Sequence, residues 1–146
     1  MTALGRRLAH VLVPSDTVLL RGPIGAGKTH LARAIIQERL AAAELFEDVP
    51  SPTYTLVQVY TDGETEIWHA DLYRLSGPQD AMELGLEEAF ETAIVLIEWP
   101  DRLGEEVPED ALDMEFLVRD EAREIRMTSP STKWARLTPA LAWGPE

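Results

Sequence analysis

Apolar residues fall along this chain either at helical spacing or in short continuous and alternating runs, and the order of these stretches predicts the architecture. Leu4, Leu8, Val11 and Leu12 form a helical stripe, which Pro14-Ser15-Asp16 closes ahead of a short strand over 17–21. Leu31, Ala32, Ile35, Ile36 and Leu40 make a second stripe over a helix from 28 to about 43, and Glu47-Asp48-Val49-Pro50-Ser51-Pro52 reads as an ordered turn. Residues 54–60 are β-branched and aromatic, so they predict a strand. The hairpin signal Thr61-Asp62-Gly63-Glu64 then returns 66–71 antiparallel to it. Ser76-Gly77-Pro78 ends that run. A helical stretch over 79–84 is interrupted at Gly85 and resumes with Leu86, Ala89 and Phe90.

Ala93-Ile94-Val95-Leu96-Ile97 is continuously apolar, the mark of a strand buried on both faces as in a parallel sheet, and Trp99-Pro100 breaks it. Leu112, Met114, Phe116 and Val118 alternate with charged or polar neighbours except at Leu117, predicting a half-buried strand. Glu121-Ala122-Arg123 turns that strand back into 124–128, and the tail 131–146 is weakly structured or helical, with Leu137 and Leu141 as its helical signal. Helices mixed with strands in this order give an α/β chain with a three-layer fold. Its sheet is part parallel and part antiparallel, within a single domain spanning 1–146.

Composition narrows the picture. At 146 residues the chain has the length of one domain. Cysteine is absent, which agrees with a reducing compartment. No stretch has the length of a signal peptide's apolar region or the 18 apolar residues of a membrane span, so a soluble cytoplasmic protein away from membranes is the simplest expectation. A formal net charge of -13, without any lysine- or arginine-rich run, opposes tight direct binding to a nucleic-acid backbone. The acidity fits a partner with a basic surface, or solubility alone.

The candidate chemistry begins at Gly22-Pro23-Ile24-Gly25-Ala26-Gly27-Lys28-Thr29, which matches the phosphate-loop pattern G-x-x-x-x-G-K-[ST] in full. Glycines let backbone N–H groups curl around phosphate oxygens, Lys28 reaches the β and γ phosphates, and the Thr29 hydroxyl can ligate magnesium. The predicted strand before the loop and helix after it are the setting the pattern requires. Lys28 is one of only two lysines, the other being Lys133.

Glu98 ends the apolar 94–97 run at the carboxyl edge of a central strand, where open α/β sheets bind ligands, and so has the position of a magnesium-binding acid; a solvent-facing glutamate is the plain alternative. Asp71 ends the 66–71 strand and is the candidate for magnesium or for orienting the attacking water, with helix capping as its alternative. His69 lies on the same strand face as Asp71, pointing either to the site or into the core. Ser51-Pro52-Thr53 stands where a hydroxyl-bearing switch segment could sense a γ phosphate, which marks Thr53 as a catalytic candidate. Arg74 and Arg123 are available to bring positive charge to the nucleotide, and Arg123 is placed among the nucleotide-binding residues; a surface salt bridge is the other fate of each.

Four blocks together resemble one bacterial family: Gly25-Ala26-Gly27-Lys28-Thr29, Ser51-Pro52-Thr53-Tyr54-Thr55-Leu56-Val57, His69-Ala70-Asp71-Leu72-Tyr73-Arg74-Leu75 and Ile97-Glu98-Trp99-Pro100. The family is TsaE, formerly YjeE, and the resemblance covers about four fifths of the chain. It implies a P-loop NTPase fold and an ATPase that is weakly active alone. It further implies work with TsaB and TsaD proteins toward the threonylcarbamoyl modification of adenosine 37 in tRNA, which the protein itself meets only indirectly. On this resemblance Ile24, Gly25, Ala26, Gly27, Lys28 and Thr29 wrap the phosphates of ATP, Thr29 and Glu98 hold Mg2+, Asp71 lies at the nucleotide, and Thr53 belongs to the switch-like loop. Two departures stand out. Pro23 follows the first loop glycine where relatives commonly have Asp, removing an N–H donor. Relatives also tend to carry roughly ten more residues upstream, including a strand and part of the base-side contact, as judged from the position of the first helix. Two other functions share the loop: a small-molecule or nucleotide kinase, and a binding module in which ATP orders 51–57 and hydrolysis is incidental.

Overall fold

A computed structural model describes residues 2–52, 55–120, 122–129 and 132–136. The chain runs α1 (Thr2–Val11), β1 (Thr17–Arg21), α2 (Lys28–Ala42), β2 (Val57–Thr61), β3 (Glu66–Asp71), α3 (Pro78–Met82), α4 (Leu86–Thr92), β4 (Ile94–Glu98), a 3-10 segment (Pro100–Glu106), β5 (Leu112–Arg119), β6 (Ala122–Thr128) and a final 3-10 turn (Thr132–Arg136). The strands form one six-stranded sheet in the order β2-β3-β4-β1-β5-β6. β1, β3, β4 and β5 run parallel through the centre, while the β2 and β6 edges pair antiparallel to their neighbours.

The period-two alternation of strand side chains divides the core into two layers. Val18, Leu20, Ile67, Ile94 and Leu96 pack against Leu8 of α1 and Leu31 and Ile35 of α2, whereas Leu19, Ala70, Val95 and Ile97 face Leu86 and Ala89 of α4 and Leu103 of the 3-10 segment. Every residue of β4 is buried, as its unbroken apolar run predicts for a strand covered on both sides. The sheet thus has helices on both faces, the three-layer mixed arrangement expected from the pattern.

Local chemistry moves several predicted boundaries. The strand expected over 54–60 begins only at Val57, because Leu56 adopts a left-handed backbone (φ 70) and donates its N–H to the Pro52 carbonyl. The expected turn 121–123 sits one to two residues earlier: Asp120 supplies the left-handed position (φ 52), which Asp tolerates, and Ala122 and Arg123 already belong to β6. The broken helix after residue 77 is two short helices separated by Gly85 at φ 88. In the tail, Trp134 is buried in the α1–α2 layer and its Nε1–H donates to the Asp110 carbonyl, while Leu137 and Leu141 lie outside the described residues. The described part of the tail, Thr132–Arg136, is a short 3-10 turn.

α1 crosses α2 at very short range, which the apolar stripe alone did not indicate. A Cβ built on Gly5 would lie 2.5 Å from the Ala34 Cβ, so only glycine permits this approach. Gly5→Ala should lower stability, because separating the helices costs roughly 1–3 kcal/mol while the gain in helix propensity is about 1 kcal/mol. The check is the urea unfolding midpoint, which falls if the contact is as close as described and rises if α1 repacks freely.

Candidate functional site

The sheet order places the carboxyl ends of β1, β3 and β4 side by side, and the parallel register pairs Asp71 with Glu98 and Leu20 with Glu98. Beyond β1 the chain enters the loop 22–27, which leads directly into α2. Gly22 has φ 144, and a Cβ there would come 2.7 Å from the Phe116 carbonyl oxygen, so the loop's first glycine is required by backbone shape and by the closeness of β5. Gly25 and Gly27 also take positive φ, at 81 and 111. Pro23 is accommodated: its carbonyl accepts the Ala26 N–H at 3.2 Å in a turn that does not call on an N–H from residue 23. Ile24 at the tip is 76% exposed.

Lys28, the first residue of α2, is buried and donates from Nζ to the Gly22 carbonyl. Its ammonium also lies over the Trp99 ring, 3.6 Å from the centroid, a cation–π contact. Burial pushes the Lys28 pKa below the ordinary lysine value, and the negative charges of Glu98, Asp71 and Asp101 partly offset that shift. Trp99 in turn meets Tyr73, with ring centroids 4.9 Å apart. Trp99 reaches Lys28 from a left-handed backbone (φ 61) directly after Glu98, a conformation that strand patterning could not reveal.

Glu98 is the hub of the site and is only 2% exposed. The Thr29 hydroxyl donates to its carboxylate at 2.7 and 2.9 Å, and the Nε2–H of His69 donates to Oε2 at 2.7 Å. A carboxylate only accepts, so Nε2 carries the hydrogen in this pair. Asp71 is nearly as buried as Glu98, and its Oδ1 accepts the Tyr73 N–H at 3.0 Å. That bond is an Asx turn two residues on, not the cap of a helix, since α3 begins only at Pro78.

These groups border one cavity of about 500 Å³, lined by Ile24, Gly25, Gly27, Lys28, Thr29 and His30 from the loop side, by Asp71, Tyr73, Glu98 and Trp99 from the strand ends, and by Arg123 at the mouth. Of the sequence-predicted site residues, Ile24, Gly25, Gly27, Lys28, Thr29, Asp71, Glu98 and Arg123 line this cavity, whereas Ala26 is buried inside the loop, His69 lies behind Glu98, and Thr53 lies outside the described residues. Arg123 reaches it from β6 and has an exposed side chain, whereas Arg74 does not line it. Sequence reasoning left His69 open and gave no role to Trp99 or Tyr73. The period of β3 already put His69 on the face of Asp71; its partner on the neighbouring strand was not legible.

The donor set fits a hard cation, since hydroxyl and carboxylate oxygens of Thr29, Glu98 and Asp71 line one cavity at the foot of the glycine-rich loop. Among the described residues no group of three or more His, Cys, Asp or Glu side chains is arranged to hold a metal by itself. No helix among the described residues is long and apolar enough to cross a membrane.

A glycine-rich loop between β1 and α2, an acid at the end of β4 and a mixed sheet covered on both faces define a protein of the P-loop NTPase fold. The chain belongs to the TsaE family: residues 1–126 match the family model described as threonylcarbamoyl adenosine biosynthesis protein TsaE. Among its relatives is the tRNA threonylcarbamoyladenosine biosynthesis protein TsaE of Streptomyces coelicolor, 37% identical over an alignment 144 positions long that covers 92% of this chain and 94% of that protein. The protein of the same name from Bacillus subtilis is 30% identical over 142 residues, 96% of this chain and 86% of that one. The crystal structure of Bacillus subtilis YdiB superposes with a TM-score of 0.76 at 26% identity, covering 97% of this chain and 86% of that chain.

Proposed function

We propose that this chain binds ATP with Mg2+ in the cavity at the phosphate loop and hydrolyses it, weakly alone and faster with TsaB and TsaD proteins, to support threonylcarbamoylation of adenosine 37 of tRNA in the cytoplasm. The observation that carries the reading is the Thr29–Glu98 pair at the loop's foot, 2.7 Å apart, in a chain that matches the TsaE family over residues 1–126. The names of its relatives, which specify tRNA threonylcarbamoyladenosine biosynthesis, support the pathway.

Each residue then has a task set by its position. Backbone N–H groups of 24–29 surround the β phosphate, and Lys28 exchanges the Gly22 carbonyl for phosphate oxygens. Thr29 and Glu98 hold Mg2+, which when bound neutralises charge on the phosphate oxygens. Asp71, held by the Tyr73 N–H, accepts a hydrogen bond from the attacking water and orients it. Thr53 and its neighbours form the segment that responds to the γ phosphate, and Arg123 adds positive charge at the cavity mouth. The kinase alternative calls for arginines on a mobile lid, and residues 75–97 contain no arginine. The net charge of -13 favours basic protein surfaces over bare tRNA as the direct partner.

ATP turnover measured with and without TsaB and TsaD tests the reading as a whole, and the absence of any nucleotide-dependent association would sink it. Lys28→Ala should weaken ATP binding by roughly 10- to 100-fold, as loss of a charged hydrogen-bond donor does. Glu98→Ala should instead keep metal-free nucleotide affinity and lose most magnesium-dependent turnover, on the order of 100-fold; unchanged turnover would remove Glu98 from the site. Asp71→Asn retains an oxygen for the Tyr73 N–H, so it should bind ATP near-normally and turn over roughly 100-fold more slowly. A fall in melting temperature without that kinetic defect would assign Asp71 to the turn alone.

A further inference from the structure

We infer that His69 is a positioning residue that fixes the Glu98 carboxylate for the metal of the bound nucleotide. The inference rests on the reading that Glu98 serves that metal. His69 is fully buried on β3, on the face that carries Ile67, and stands in register with Leu96. A purely space-filling residue here would be apolar like those two. An imidazole costs desolvation at such a place, and this one costs more because, among the described residues, its Nδ1 has no hydrogen-bond partner. The return for that cost is the single 2.7 Å bond to Glu98 Oε2.

The two donors to Glu98 are not equivalent. The Thr29 hydroxyl turns about a single bond, and its oxygen is itself a candidate ligand. The His69 ring is fully buried on β3 beside β4, and its Nε2–H has no other acceptor to turn to among the described residues, so it is the fixed anchor of the carboxylate. Groups that hold a liganding carboxylate in place typically change metal affinity by about 10- to 100-fold when removed. A residue acting in this way leaves the phosphate contacts of the loop untouched. Its signature is therefore a loss of the metal's contribution to nucleotide binding, with metal-free binding preserved.

The experiment titrates a non-hydrolysable ATP analogue into the full chain by calorimetry, in Mg2+ and in EDTA, for the wild type, His69→Leu and His69→Gln. Leucine fills the space without a donor, whereas glutamine returns an N–H near the position of Nε2. His69→Leu should reduce the magnesium enhancement of affinity by at least about tenfold while its affinity in EDTA stays within about twofold, and His69→Gln should recover most of the enhancement. Full enhancement in His69→Leu, or equal loss with and without metal, overturns the inference while leaving the metal reading of Glu98 intact. No magnesium enhancement in the wild type overturns that reading and this inference together. Should His69→Leu fail to fold, imidazole 15N spectra of the wild type decide: the His69 Nε2–H signal shifts when Mg2+ is added to the analogue-bound protein, and a signal that ignores the metal overturns the inference.

Discussion

A carboxylate taken out of water must find its hydrogen bonds inside the protein, and the site is arranged around that requirement at Glu98. The residue sits at the end of β4, flanked by β1 and β3, with helices covering both faces of the sheet. In such a position water reaches the charge only from the cavity. Thr29 from α2 and His69 from β3 supply its hydrogen bonds, and the nearby Lys28 ammonium adds a favourable field. Because Lys28 and Thr29 open α2 directly after the phosphate loop and His69 belongs to β3, the carboxylate joins the start of that helix to the neighbouring strand. Folding the sheet in its register and assembling the site are one event.

Lys28 shows the opposite balance. Its burial disfavours the charged form, and the compensation comes from three surrounding acids, the Gly22 carbonyl and the face of Trp99. Each of these is a weaker partner for an ammonium than a triphosphate, so the lysine is stored in place without being locked there. The loop around it owes its shape to backbone demands: Gly22 has no room for a Cβ beside Phe116, and the turn at Pro23 uses only that residue's carbonyl.

Much of this was legible in the sequence because it depends on local pattern. The phosphate loop, the fully buried β4 and the acids at 71 and 98 all follow from residue type at fixed spacing, and the structure places them at one edge. What escaped depends on partners distant in the chain or on backbone states open to many residues. Leu56 shortened β2 by turning left-handed, a state its residue type does not announce, and Asp120, of a type that tolerates that state, took the turn position ahead of 121–123. The link from His69 to Glu98 spans 29 residues and exists only because β3 lies beside β4. Gly5 looked like any helical glycine until α2 was seen against it.

Position 99 carries two demands that conflict. Its left-handed backbone would be most comfortable with glycine, and a non-glycine residue there gives up about 1–2 kcal/mol. Its ring nevertheless roofs Lys28 and abuts Tyr73, which glycine could not do. A sequence chosen for maximal stability and one chosen for a sheltered lysine therefore diverge at this residue. Trp99 marks the point where the fold has given up some of its robustness for the readiness of its site.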